Sequence, residues 1–237
     1  MSSKHYASLI TDIHKRFVDQ LSGWIHEFIG SSYALNAWVI NEFENKMVQT
    51  LNVSVSELKT QLMHSVDAVV EEARYRAYLD AEKAIPEFDS QHASQQKAEI
   101  ALNQISLRMK LEVVQAMSLI REYSSRVGLY RSNGITDVGA RIRARENIKG
   151  RVGQYSTFDS IGRKHDAVSL MSAYVLALLT NLEHTTYIEE AAALGFTNFK
   201  LVQLGHRRDQ MTFGLNDYPA NELHPRSEAK VQLIREV

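Results

Sequence analysis

Apolar residues recur every three or four positions along most of this chain. From Ser2 to about Ile29, the residues Ile10, Ile13, Phe17, Leu21, Trp24, Ile25 and Phe28 fall on one helical face. "GSSYALN" interrupts the pattern, and Leu35, Trp38, Val39, Phe43 and Val48 resume it between Tyr33 and Leu51. Ser54 then opens a Ser-x-x-Glu run, the signature of a capping box. A new long helix is therefore predicted, with Leu58, Leu62, Val66, Val69, Val70 and Ala73 on its face. Pro86 ends that helix or closely follows its end. After the polar run "EFDSQHASQQ", Lys97 to Arg126 is again helical. Ile100, Leu107, Leu111, Val114, Met117, Leu119 and Ile120 supply its apolar stripe.

The pattern changes towards the C-terminus. A short helix is predicted from Thr136 to Ile148, capped by Thr136 or Asp137. "DAVSLMSAYVLALLTNL" (166–182) and "TTYIEEAAAL" (185–194) predict two helices, the second closed by Gly195. "NFKLVQL" alternates with a period of two, as a half-buried strand does. "MTFGL" and "AKVQLIREV" predict two further short strands, separated by turns at Pro219 and Pro225. The expected fold class is mainly α. A helical bundle spans 1–127, a Gly-rich basic connecting segment spans 128–164, and a small α+β region with a short C-terminal sheet spans 165–237.

Composition narrows the function classes. With 237 residues, 44% of them hydrophobic, the chain can bury the core of one large domain or two small ones. A formal charge of −1 gives no global field that would demand a polyanion or a membrane as partner. Without cysteine there are no disulfides, thiolate nucleophiles or sulfur-ligated metals. No apolar run approaches the roughly 20 residues that span a bilayer. The opening "MSSKHYASLITDIHKRF" lacks the basic-then-apolar order of a signal peptide.

Charge is uneven locally. Between Gly128 and His165, Arg131, Arg141, Arg143, Arg145, Lys149, Arg151, Arg163 and Lys164 stand against only Asp137, Glu146 and Asp159. Arg141 and Arg145, then Arg145 and Lys149, are spaced i, i+4 and form a cationic ridge on one helix face. Gly150 and Gly153 would let a partner approach the backbone. The ridge suits phosphate contact. The plainer reading is a solvated face, or arginines paired with acids of the net-acidic N-terminal half.

The last 34 residues hold His206, Asp209, Asp217, Glu222 and His224, which are metal-ligating types. Their spacing matches no His-Glu-x-x-His, His-x-His or calcium-loop motif. A nuclease-type site of His206 and Asp209, with Arg207 or Arg208 on a phosphate, is chemically possible. His165 and Asp166 are adjacent, so on a helix they would diverge. There is no P-loop, dinucleotide fingerprint or Gly-x-Ser-x-Gly elbow. The residues therefore call for no catalytic group, cofactor or metal.

One feature order carries a resemblance. "SAYVLALLTNLEHTTYIEEAAALG", "FKLVQL", "GHRRDQ", "ELHP" and "AKVQLIREV" follow one another over about the last 70 residues. Small-residue helix, Gly-closed helix, strand, polar Arg/Asp/His segment, His-Pro turn and closing strand together resemble the C-terminal region of phage head-morphogenesis (minor head) proteins of the Mu F type. The resemblance implies a non-enzymatic virion component near the portal vertex, assembled in the host cytoplasm. Such a protein acts in head assembly, DNA packaging or DNA delivery, in multiple copies against portal and capsid proteins and packaged double-stranded DNA. On that reading Arg141, Arg143, Arg145, Lys149, Arg151, Arg163, Lys164, His206, Arg207 and Arg208 face the partner. A head–tail connector subunit, a helical nucleic-acid-binding protein and a nuclease-type effector are the alternatives.

Overall fold

A computed structural model of the chain describes residues 3–86, 92–158, 163–204, 210–218 and 228–234. Helix α1 spans Ser3–Gly30, α2 Ala37–Asp80, α3 His92–Ser132, α4 Asp137–Ile148 and α5 Ala167–Ala193. Strands β1 (Ser156–Phe158) and β2 (Lys164–Asp166) form an antiparallel hairpin. Strands β3 (Asn198–Leu204), β4 (Gln210–Gly214) and β5 (Glu228–Leu233) form an antiparallel sheet of order β4-β3-β5. A mainly helical chain with a short C-terminal sheet is thus what the pattern of residues produces.

Three boundaries differ from the sequence expectation. Ser54 starts no helix: α2 runs unbroken through it for 44 residues. The reason is visible in the buried face, where Met47, Thr50, Ser54, Leu58 and Leu62 step by three and four, so Ser54 lies within the packed stripe. The N-cap of α2 is instead Asn36, whose Oδ1 accepts from the Val39 N–H at 3.0 Å. Likewise the two helices expected around Glu183 are one, α5. Its start is capped by Asp166, whose Oδ2 accepts from the Ser169 N–H at 2.9 Å. The Gly-rich segment also holds the unexpected β1–β2 hairpin, pairing Ser156 with Asp166 and Phe158 with Lys164.

A fourth difference concerns faces. Ile100, Leu107, Leu111 and Val114 are all more than half exposed, although the apolar stripe of α3 was expected to include them. The helix carries two apolar stripes, and the one that packs runs through Ala101, Ile105, Met109, Val113, Ala116, Ile120, Tyr123 and Val127. That stripe runs without a break from Ala101 to Val127.

Helix ends follow expectation more closely. The Thr136 Oγ1 accepts from the Gly139 N–H and caps α4. Helices α3 and α5 end on Gly134 and Gly195 at positive φ, with paired backbone bonds back to Tyr130 and Arg131 and to Ala191 and Ala192. Helix α2 closes with the same two bonds, to Tyr78 and Leu79, but places Glu82 at φ 56°.

The fold divides into two compact units, and α1, α2, α3 and α5 each contribute to both. Unit 1 comprises 1–10, 61–101 and 172–237, and unit 2 comprises 11–60 and 102–171. In unit 1 the core is Ala73 and Ala77 of α2, Tyr187, Ile188 and Ala191 of α5, and Phe199, Leu201, Phe213 and Val231 of the sheet. The β3 register sets Phe199 opposite Phe213 and Leu201 opposite Val231, so alternate residues reach the core. In unit 2 the rings of Phe43 and Tyr123 meet Phe28 edge-on, at 5.2 and 5.9 Å.

Candidate partner interface

Helix α4 carries three of the ten candidate contact residues, Arg141, Arg143 and Arg145, and its geometry sorts them. Ala140, Ala144 and Ile148 are its buried face. Arg141 donates from Nε to Asp137 at 3.0 Å. Its other nitrogens donate to the carbonyls of Ser31 and Tyr33, at 3.3 and 2.9 Å. Arg145 donates to the Ile29 carbonyl at 2.8 Å. These carbonyls belong to the C-terminal turn of α1 and the chain just beyond it, and α1 has no basic residue in that turn. Arg141 and Arg145 therefore supply the cations that favour a helix C-terminus. Arg151 pairs with Glu122, which Arg126 also reaches at 2.9 Å. The Arg151 bond, reinforced by Arg126, holds the Glu122 carboxylate below its usual range despite partial burial.

The remaining cations face outward. Arg143 is exposed and makes no hydrogen bond or ion pair through its side chain among the described residues. Lys149 lies 3.9 Å from Glu146, with both side chains mostly exposed. Arg163 and Lys164 are exposed at the start of β2. Val138 and Ile142 of α4 are also exposed, at 68% and 56%. Gly153 serves its own chain: it has φ 78°, and a Cβ there would stand 3.1 Å from the Ser22 hydroxyl. His206, Arg207, Arg208, Asp209, Glu222 and His224 lie outside the described residues. Asp217 sits in the turn after β4, its N–H bonded to the Gly214 carbonyl at 3.0 Å.

Sequence reasoning missed two polar constellations. In unit 2, His14 of α1 and Glu112 of α3 are both buried, with Nε2 at 2.8 and 3.0 Å from the two carboxylate oxygens. His14 Nδ1 has no hydrogen-bond partner among the described residues. In unit 1, Glu183 of α5 accepts from Arg76 of α2 at 2.7 Å and from the Ser3 hydroxyl. The Arg76 guanidinium lies 4.6 Å from the centre of the Tyr187 ring. Tyr187 donates to Asp80 at 2.7 Å and accepts from the Leu233 N–H at 3.1 Å. Burial, then the Asp80 bond, pushes its phenol above the ordinary range. Next to Glu183, His184 bonds the Tyr218 hydroxyl at 2.6 Å.

A signal for the second constellation existed in the sequence. Arg76 and Asp80 continue the α2 stripe from Ala73 by three and four, so charged residues lie on a packed face. Among the described residues no three His, Asp or Glu side chains converge as a metal would need. Comparison with protein-family models, with curated proteins and with solved structures gave no match.

Proposed function

We propose that this protein is a non-enzymatic structural component of a phage virion, a minor head or portal-proximal protein acting in head assembly, DNA packaging or DNA delivery. The observation supporting this reading is the order of elements in the last third of the chain. Helix α5 closes at Gly195, β3 and β4 follow, and β5 comes last, with "ELHP" between β4 and β5 in the sequence. That is the order of the minor head family the sequence resembles. The long helices suit a scaffold between larger partners, here portal and capsid proteins. The outward cations Arg143, Lys149 and Lys164 suit contact with a partner's acids or with packaged DNA.

The test is quantitative mass spectrometry on gradient-purified particles, measuring this polypeptide against portal protein. A fixed ratio to portal is the expected result. A whole-number ring ratio would favour a head–tail connector subunit, and a low, uneven copy number a minor head protein. Absence from intact particles would overturn both virion readings.

A further inference from the structure

The near-neutral total charge hides a division. The 28 acidic and 27 basic residues fall as 16 and 11 in unit 1, and as 12 and 16 in unit 2. Unit 1 is therefore net negative and unit 2 net positive. Opposite charge on two surfaces of one chain favours contact between copies and disfavours like surfaces meeting.

Each unit presents a surface suited to such contact. Unit 1 has an open groove of about 640 Å³ lined by Tyr6, Ala68, Glu71, Glu72, Tyr75 and Ile85. Its Tyr75 is half exposed, as is Leu79 one turn along α2. Glu71 has no hydrogen bond or ion pair through its side chain among the described residues. Apolar walls with carboxylates at the rim fit an apolar side chain flanked by cations. Unit 2 offers that complement at α4, whose Val138, Ile142 and Arg143 are exposed, with Lys149 just past its end, 3.9 Å from Glu146.

We propose that copies of this protein associate head to tail, the outward face of α4 in one copy seating in the acidic aromatic groove of unit 1 in the next. Val138 and Ile142 cover Tyr75, Leu79 and Ile85, while Arg143 meets Glu71. Because the two surfaces differ, the contact is heterologous, and repetition gives a ring if the rotation closes and a filament if it does not. The inference concerns copies alone and stands apart from the virion reading.

Light scattering behind size exclusion, across protein concentration and at low and high salt, tests this. The full chain should self-associate at low salt and shift towards monomer as salt screens the charges. Glu71→Arg and Arg143→Glu each place like charges on both surfaces. Either variant alone should need at least about tenfold more protein to associate. Mixed one to one, they should assemble again, since each reversed surface now meets its complement on the other variant. Both positions are exposed, and unchanged circular dichroism of the variants separates lost contact from lost fold. Two results would overturn the proposal. One is a wild-type chain that stays monomeric at low salt. The other is an assembly that survives both reversals but dissolves in Leu111→Glu, which would place the contact on the outward stripe of α3.

Discussion

In unit 2 a histidine and a glutamate meet almost wholly out of solvent, whereas in unit 1 the acids and bases of α2 and α5 meet along a seam that keeps some contact with water. His14 and Glu112 hold α1 and α3 together at one point, with 0% and 5% of their side chains exposed. The pairs Arg76–Glu183 and Arg74–Glu190 keep about a fifth of each side chain in water. The difference teaches how much one contact can matter. A buried pair must stay paired, because an orphaned charge has nothing to replace its partner. A partly exposed one can recover part of its loss from solvent.

The sharpest way to break that contrast is His14→Ala. It leaves the buried Glu112 without that partner and should cost ~3–5 kcal/mol in denaturant unfolding. Replacing both residues by leucine should recover most of the loss, because it removes both polar groups together. If His14→Ala costs no more than an exposed pair does, the contrast fails. The seam should give a smaller number: Arg76→Met, which keeps an aliphatic side chain but loses the guanidinium over Tyr187, should cost about 1–2 kcal/mol in the same measurement.

The smallest effect belongs to Glu122, where Arg151 and Arg126 converge. A carboxyl lowered in the folded state adds stability that is present above its unfolded value, about 4.3, and is lost as pH falls through the folded value. Solvent screening keeps the gain below about 1 kcal/mol. Thermal melts of wild type and Glu122→Gln should therefore differ slightly at neutral pH and converge in acid. A gap that widens in acid would reverse the assignment.

What could be read from the sequence depended on whether one pattern stood without a rival. Helix α1 was legible because Ile10, Phe17, Leu21, Ile25 and Phe28 make one stripe and nothing competes with it. Helix α3 was only half legible: Leu107, Leu111 and Val114 repeat at helical spacing just as Ile105, Met109 and Val113 do, and only the surrounding helices choose between them. At Ser54 a local capping signature competed with a stripe extending on both sides, and the longer pattern won. The candidate cations were named readily, but their destinations were not. Arg141 reaches Tyr33 across 108 positions and Arg145 reaches Ile29 across 116. Spacing within one helix carries no trace of such contacts. His14 and Glu112 were hidden for the same reason, separated by 98 positions.

Gln115 ties the hairpin to the helices. Its side-chain amide donates to the Ser156 carbonyl at 2.9 Å and accepts from the Ser156 N–H at 3.2 Å, doing for β1 what a neighbouring strand's backbone would do. The donor lies 41 positions earlier in the chain. In kinetic terms, two three-residue strands form too small a hairpin to persist alone, and this support exists only once α3 is in place. The hairpin should therefore persist only while that helix stands beside it.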